Sequence, residues 1–246
     1  MAPETVKLEI FRYQPDKSDE PTFQTYEVPF NEEWVILDAI NHIKDNIDGT
    51  LSHRWSCRMG VCGSCGMMVN GTPTLTCGSY LSEHLPGPIR IEPMAHFPVI
   101  RDLVVDIEPF LKNLQAVQPW IIREDEGDLS EEYRQTPAQH EAFRQFSLCI
   151  NCTLCYAACP VFGRDQSFIG PAAIALGQRY NLDSRDEGND KRADVLASHE
   201  GIWDCTFVGD CSRVCPAHVD PAAAIQQAKV INTVDWFKRL VLPKGK

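Results

Sequence analysis

Eleven cysteines constrain this chain more than any other feature of its 246 residues. They fall into two tight groups, residues 57–77 and 149–215, and none is left over. The opening stretch MAPETVKLEIFRYQP alternates rather than forming an apolar secretory block, which sets the expectation of a chain kept in the cytosol. An odd cysteine count in that setting argues against a disulfide framework and for metal ligation. The fold must therefore bring thiolates together at fixed spacing.

Cys57, Cys62, Cys65 and Cys77 read C-x4-C-x2-C-x11-C, the plant-type [2Fe–2S] pattern. A loop this tight wraps two irons only if its backbone turns sharply, and Gly60, Gly63 and Gly66, with Ser64, permit that. The freed N–H groups can then point at sulfur and tune the potential. Cys77 is expected to arrive from the strand after a hairpin. A structural zinc site is the competing reading, but zinc ribbons show two C-x2-C pairs rather than an uneven triple and a distant single.

The second group repeats itself. CINCTLCYAACP (149–160) and CTFVGDCSRVCP (205–216) share one frame, with Cys152 in the first copy and Val208 at the same slot in the second. In two-cluster ferredoxins the last cysteine of each run ligates the other cluster. That rule assigns Cys149, Cys152, Cys155 and Cys215 to a [4Fe–4S] site. It leaves Cys159, Cys205 and Cys211 with only three thiolates, which suits [3Fe–4S], because Val208 supplies no ligand and forms a dry wall. Losing one thiolate and one iron is expected to raise the potential. A rival reading is a [4Fe–4S] cluster with one open iron acting as a Lewis acid. It would need acid–base groups where the chain offers Thr206, Phe207 and Val208, although Asp210 is close in sequence. The seven histidines are scattered, so no Rieske pair exists. His218 is read as a packing or capping residue. His53 and Arg54 either hydrogen-bond near the first cluster or are solvated, and Tyr156 and Trp203 are read as excluding water.

Composition narrows the partners. A net charge of -11 excludes a general nucleic-acid binder, and no apolar run is long enough to span a bilayer. At 43% hydrophobic residues, two domains can each bury a core. VKLEIFRY and FQTYEVPF read as strands, and a helix is expected from about Trp34 with Ile36, Ile40, Ile43 and Ile47 on one face, Asn31 as its cap, and Glu32 and Glu33 at its positive end. Asn70-Gly71 marks a hairpin, and IRIEPM a last strand. From about Pro98 the texture turns helical, with Leu103, Ile107, Leu111 and Leu114 on one face. REDEGDLSEEYRQ reads as a surface connection. Thr136-Pro137-Ala138-Gln139 and Asp220-Pro221 open further helices. The tail WFKRLVLPKGK is basic and partly apolar.

RWSCRMGVCGSCGMMVNG, CINCTLCYAACPVFG, FIGPAAIALGQRYNLDSRDEG and CTFVGDCSRVCPAHVDPAAAIQQAKV closely resemble the iron–sulfur subunits of the succinate dehydrogenase/fumarate reductase family, above all its enterobacterial-type fumarate reductase branch. The resemblance covers nearly the whole chain, with Val208 at the family's non-ligand position. It implies an α+β fold: a β-grasp, plant-type ferredoxin-like domain at residues 1–104 carrying [2Fe–2S], then an all-helical two-cluster domain at 105–246 carrying [4Fe–4S] and [3Fe–4S]. It also implies a flavoprotein subunit whose FAD interconverts fumarate and succinate, and two membrane-anchor subunits that bind quinone. The chain would sit peripherally on the cytoplasmic face of the inner membrane. By the same resemblance the [2Fe–2S] end faces the flavin and the [3Fe–4S] end the quinone. Thr206, Phe207, Gln226 and Lys229 match the quinone-pocket edge, with Trp203 nearby. Lys229 would donate to a quinone carbonyl, or simply be solvated. The expected function is electron transfer from (mena)quinol to FAD in anaerobic fumarate reduction, with no dicarboxylate site and no catalytic residue in this chain. The alternatives are the same subunit in a succinate dehydrogenase, a free multicluster ferredoxin, and a zinc-binding module.

Overall fold

The computed structural model describes residues 3–17, 20–123 and 132–241. It mixes strands and helices in two compact units. The first comprises Met1–Pro109 together with Ile150–Ala158, and the second Phe110–Cys149 together with Cys159–Lys246.

The first unit begins with alternation. In β1 (Thr5–Arg12) Val6, Leu8 and Ile10 point inward, and the strand pairs antiparallel along its length with β2 (Thr22–Pro29). Such alternation places one apolar face of a sheet on a core. Helix α1 (Ile36–His42) covers that core with Ile36, Ala39 and Ile40. Asn31 caps a turn ahead of the helix, its Oδ1 accepting from the Glu33 N–H, so Glu32 and Glu33 lie outside the first helical turn. Asp38 takes the capping role instead, accepting from the Val35 N–H. Ile36, Ile40 and Ile43 are buried as expected, but Ile47 is half exposed. The helix widens into a π-helical turn at Ile43–Ile47, whose longer repeat swings Ile47 off the face.

β3 (Gly66–Val69) and β4 (Thr72–Leu75) form the hairpin, with Asn70 and Gly71 both left-handed at φ 48° and 77°. That is the conformation a two-residue I′ turn requires. β5 (Ile89–Glu92) runs parallel to β1 and antiparallel to β3, giving the sheet order β2-β1-β5-β3-β4. The helical texture expected from Pro98 is delayed: β6 (Val99–Arg101) and β7 (Val104–Val105) form a small hairpin first. Leu103 belongs to the sheet-domain core, and helix α2 starts only at Glu108 (Glu108–Ala116), burying Phe110 rather than Leu111. β-branched valines at 99, 104 and 105 outweigh the helical spacing.

A polar knot braces this unit. Arg12, buried in the sheet, pairs with Asp102 at 3.1 Å and Asp48 at 2.6 Å, and also donates to Tyr26 and Thr50. Asp102 accepts in addition from the N–H groups of Tyr13 and Ser52. A buried charge is tolerated only when so fully partnered.

The second unit is helical. Thr136 and Gln139 form a reciprocal capping box at the start of α3 (Pro137–Arg144). The one-turn helix α4 (Leu154–Ala157) belongs to the first unit, and α5 (Pro160–Arg164) follows directly on Cys159. α6 (Pro171–Asn181) buries Ala172, Ala173, Ile174 and Ala175, small residues that let α9 (Pro221–Val241) pack closely on it. Between them lie α7 (Asn189–Leu196) and α8 (Asp210–Arg213). Asp220 Oδ1 accepts from the Ala223 N–H and so caps α9. Most of the acidic connection, residues 124–131, and the last tail residues, 242–246, lie outside the described residues. Among the described residues no helix is long and apolar enough to cross a membrane.

Candidate metal centres

The loop between Ser56 and Gly66 turns back on itself through three left-handed residues, Arg58, Gly60 and Gly63, at φ 59°, 73° and 74°. This brings Cys57, Cys62, Cys65 and Cys77 together within the first unit. The Cys57 N–H donates to Cys62 Sγ at 3.5 Å, and the Met59 N–H to Cys57 Sγ at 3.4 Å. Cys77 sits in the short turn after β4, within electrostatic reach of Cys65 and Cys57 and accepting from the Gly60 N–H. The thiols differ in acidity. The Cys57 N–H, with the Ser64 N–H and hydroxyl, pulls Cys62 down to about 6, whereas burial pushes Cys77 up to about 11.

The repeated cysteine frame is a repeat of backbone as well. Asn151 and Thr153 are left-handed at φ 56° and 63°, and the matching Phe207 and Gly209 at 60° and 84°. A helical turn begins at the next position in both copies, Leu154 and Asp210. Alternating hands turn successive N–H groups to one side, the nest that cradles anionic groups. In the second copy the Phe207 N–H donates to Cys205 Sγ at 3.4 Å.

Cys159, Cys205 and Cys211 lie together in the second unit. They line one narrow cleft with Pro160, Phe168, Phe207, Val208 and Ile225, and act on one another electrostatically. Burial raises the thiols of both Cys159 and Cys211, the latter to about 11. The Phe162 N–H, in the first turn of α5, donates to Cys159 Sγ at 3.5 Å, offering the anion-favouring end of a helix. Of the other four cysteines, Cys149 and Cys215 pack beside the second unit's core of Phe146, Ala175, Val219 and Ala224. Cys152 and Cys155 belong to the first unit.

The residues expected at the quinone edge divide. Thr206 and Phe207 line the cysteine cleft. Trp203 lines a separate cleft of about 560 Å³ with Trp236 and Phe237 of α9. Lys229 Nζ donates to the Cys205 carbonyl at 2.8 Å, and the buried Gln226 Nε2 has no hydrogen-bond partner. His53 bonds Asn41 at 2.8 Å and Arg54 bonds the Val105 carbonyl, while His218 is exposed. Tyr156 is fully buried, its ring tilted against that of Phe97 with centroids 6.2 Å apart. Sequence reasoning missed Arg192, a lone arginine in a polar helix. It is wholly buried, ion-paired to Asp186 at 2.7 Å and donating to the carbonyls of Gln118 and Trp120.

The donors fit iron–sulfur clusters. They are thiols alone, held in loops whose N–H groups face sulfur. Loops of this kind define a ferredoxin-type iron–sulfur protein. Residues 7–112 match the 2Fe-2S iron-sulfur cluster binding domain family, and residues 145–219 the 4Fe-4S dicluster domain family. The chain is 58% identical to a Mycobacterium tuberculosis protein named fumarate reductase iron-sulfur subunit, over 98% of each chain. It is 51% identical to the Escherichia coli protein of that name, over 97% of this chain and 98% of the other. The chain belongs to the fumarate reductase iron–sulfur subunit family. In fold it is similar to a chain of the Mycobacterium smegmatis Sdh1 complex in the apo form, with TM-score 0.86 and 24% identity over 96% of this chain and 98% of that one.

Proposed function

We propose that this chain is the electron-transfer subunit of a membrane-bound fumarate reductase, linking quinol oxidation at membrane-anchor subunits to the FAD of a flavoprotein subunit that reduces fumarate. Cys57, Cys62, Cys65 and Cys77 hold [2Fe–2S] in a β-grasp domain over residues 1–104. Cys149, Cys152, Cys155 and Cys215 hold [4Fe–4S], and Cys159, Cys205 and Cys211 hold [3Fe–4S]. Bound there, the clusters supply reversible one-electron transfer. The chain's own residues provide spacing and ligation, while Val208 and Phe207 stand exposed at the rim rather than forming a dry wall. No dicarboxylate binds here.

The observation that carries this reading is the trio Cys159, Cys205 and Cys211 around a cleft where Val208 replaces a fourth thiol, in a chain whose relatives are named fumarate reductase iron-sulfur subunits. Asp210 also lines this cleft, but its carboxylate is paired with Arg213 at 3.0 Å, and the apolar Phe207 and Val208 beside it disfavour the open-iron Lewis acid, which needs free acid–base groups. Exposed Trp203, Trp236 and Phe237 suit a docking face for the anchors, with Thr206, Phe207, Gln226 and Lys229 at the quinone edge. The resulting location is peripheral, on the cytoplasmic face of the inner membrane.

The test is anaerobic iron and labile-sulfide analysis with low-temperature EPR during stepwise reduction. A [3Fe–4S] signal when oxidised, then [2Fe–2S] and [4Fe–4S] signals on reduction, is the expected result. A colourless, zinc-loaded protein would overturn the reading.

A further inference from the structure

We propose that Gly63 is a spacer: by lacking a side chain it lets the Cys62–Cys65 loop lie against the backbone at Cys152, and so sets the gap an electron crosses between two ligand sets. The proposal rests on the ligand assignments above.

Gly63 sits between Cys62 and Ser64 at φ +74°. A Cβ built there would stand 2.7 Å from Cys152 Cα, 2.8 Å from its Cβ and 3.2 Å from its N. These are main-chain and Cβ atoms, unable to rotate away, so any side chain forces the two segments apart. Gly66, three residues on, meets the same stretch: its Cβ would lie 3.3 Å from Leu154 Cδ2 and 3.5 Å from the Cys152 carbonyl oxygen. Residues of the two segments, Cys62, Gly63 and Gly66 with Asn151, Cys152 and Thr153, also line one small cavity of about 110 Å³. The contact thus joins the immediate chain neighbour of one ligand directly to another ligand, with no side chain between. Tunnelling through packed atoms decays less steeply than across a solvent gap.

A glycine could be needed here only for its backbone angle. Gly60, in the same loop, separates the two explanations. Its φ is +73°, yet a Cβ there would meet nothing within 4 Å. Alanine at either site carries the same backbone strain, but only at 63 does it collide.

The experiment compares G63A and G60A in the full-length, cluster-loaded chain, reading the microwave power saturation of the reduced [2Fe–2S] EPR signal with the [4Fe–4S] cluster oxidised and then reduced. Dipolar coupling between paramagnetic neighbours speeds spin relaxation and falls steeply with separation. G63A is expected to retain both cluster signals while losing severalfold in this relaxation enhancement, and G60A, which keeps the N–H that Cys77 accepts, to keep the wild-type enhancement whatever its line shape. Equal enhancement in G63A and G60A would overturn the spacer role. If G63A takes up no clusters, amide hydrogen exchange of the full-length chain decides: protection lost at 151–153 in G63A but kept in G60A supports the contact, and equal protection in the two overturns it. A wild type lacking either cluster signal would instead sink the ligand assignment beneath it.

Discussion

Lys229 of the last helix reaches across to Cys205, its Nζ donating to the main-chain carbonyl at 2.8 Å. The lysine therefore fixes the start of the left-handed loop that carries Phe207, Val208 and Gly209. Replacing it with methionine removes a charged donor and leaves that carbonyl unmatched. K229M should lose about 1–2 kcal/mol in urea unfolding and alter the line shape of the oxidised [3Fe–4S] signal, while K229R should restore the line shape. A normal signal in K229M would confine the residue's role to the surface.

Val208 occupies the slot that Cys152 fills in the other copy of the frame, and it is exposed at the rim of the cleft. V208C should bind a fourth iron, abolish the oxidised [3Fe–4S] signal and give a [4Fe–4S] centre of lower potential with slower quinone turnover. Redox-poised EPR reads this directly. An unchanged spectrum would show that the backbone here, rather than the missing thiol, selects the cluster.

Arg192 and Asp186 form an ion pair with both side chains essentially inaccessible to solvent. Burial alone would raise the Asp186 carboxyl, yet Arg192 and the N–H groups of Ile122 and Gly188 hold it below its usual range. R192M strands that carboxylate and should cost about 3–5 kcal/mol in denaturant unfolding. Adding D186L should recover part of the loss, because the uncompensated charge goes with it. A double variant no better than the single one would mean that the carbonyl contacts of Gln118 and Trp120 dominate.

Burial pulls His53 down to about 4 from an ordinary value near 6.5. The folded chain therefore disfavours its protonated form. Its contribution to stability is full above about pH 6.5 and is lost as pH falls toward 4. H53Q, which keeps a side-chain amide near Asn41, should flatten that dependence. Thermal unfolding of both proteins between pH 7.5 and 5 tests it: parallel curves would show that His53 does not titrate in this window.

The two iron–sulfur domain families were legible because each cysteine run is compact in sequence. Spacing over a dozen residues states the chemistry. The strands and the Asn70-Gly71 turn were legible for the same reason. Positions decided by distant partners were not. Ile47 follows the helical period of its neighbours, but the π-helical turn carries it away from the core. Leu103 shares a helical spacing with Ile107 and still packs under the sheet, because valines around it favour a hairpin. Arg192 looks like any surface arginine until the loops at 118–120 and 186 close over it. One signal went unused. Gly209 stands opposite Thr153 in the repeated frame, and a glycine in one copy points to a left-handed residue in the other.

The first unit is interrupted in the chain: it breaks off at Pro109 and resumes only at Ile150. A ribosome releases the sheet, its helix and Cys57, Cys62, Cys65 and Cys77 well before the piece that seats Leu154 near Gly66 and Tyr156 near Phe97. Until Ala158 has emerged, the nascent sheet keeps an uncovered apolar flank beside a half-walled cysteine loop. Metal delivered during that interval would meet an unfinished pocket, so faithful loading favours a chain already synthesised past its second cysteine run.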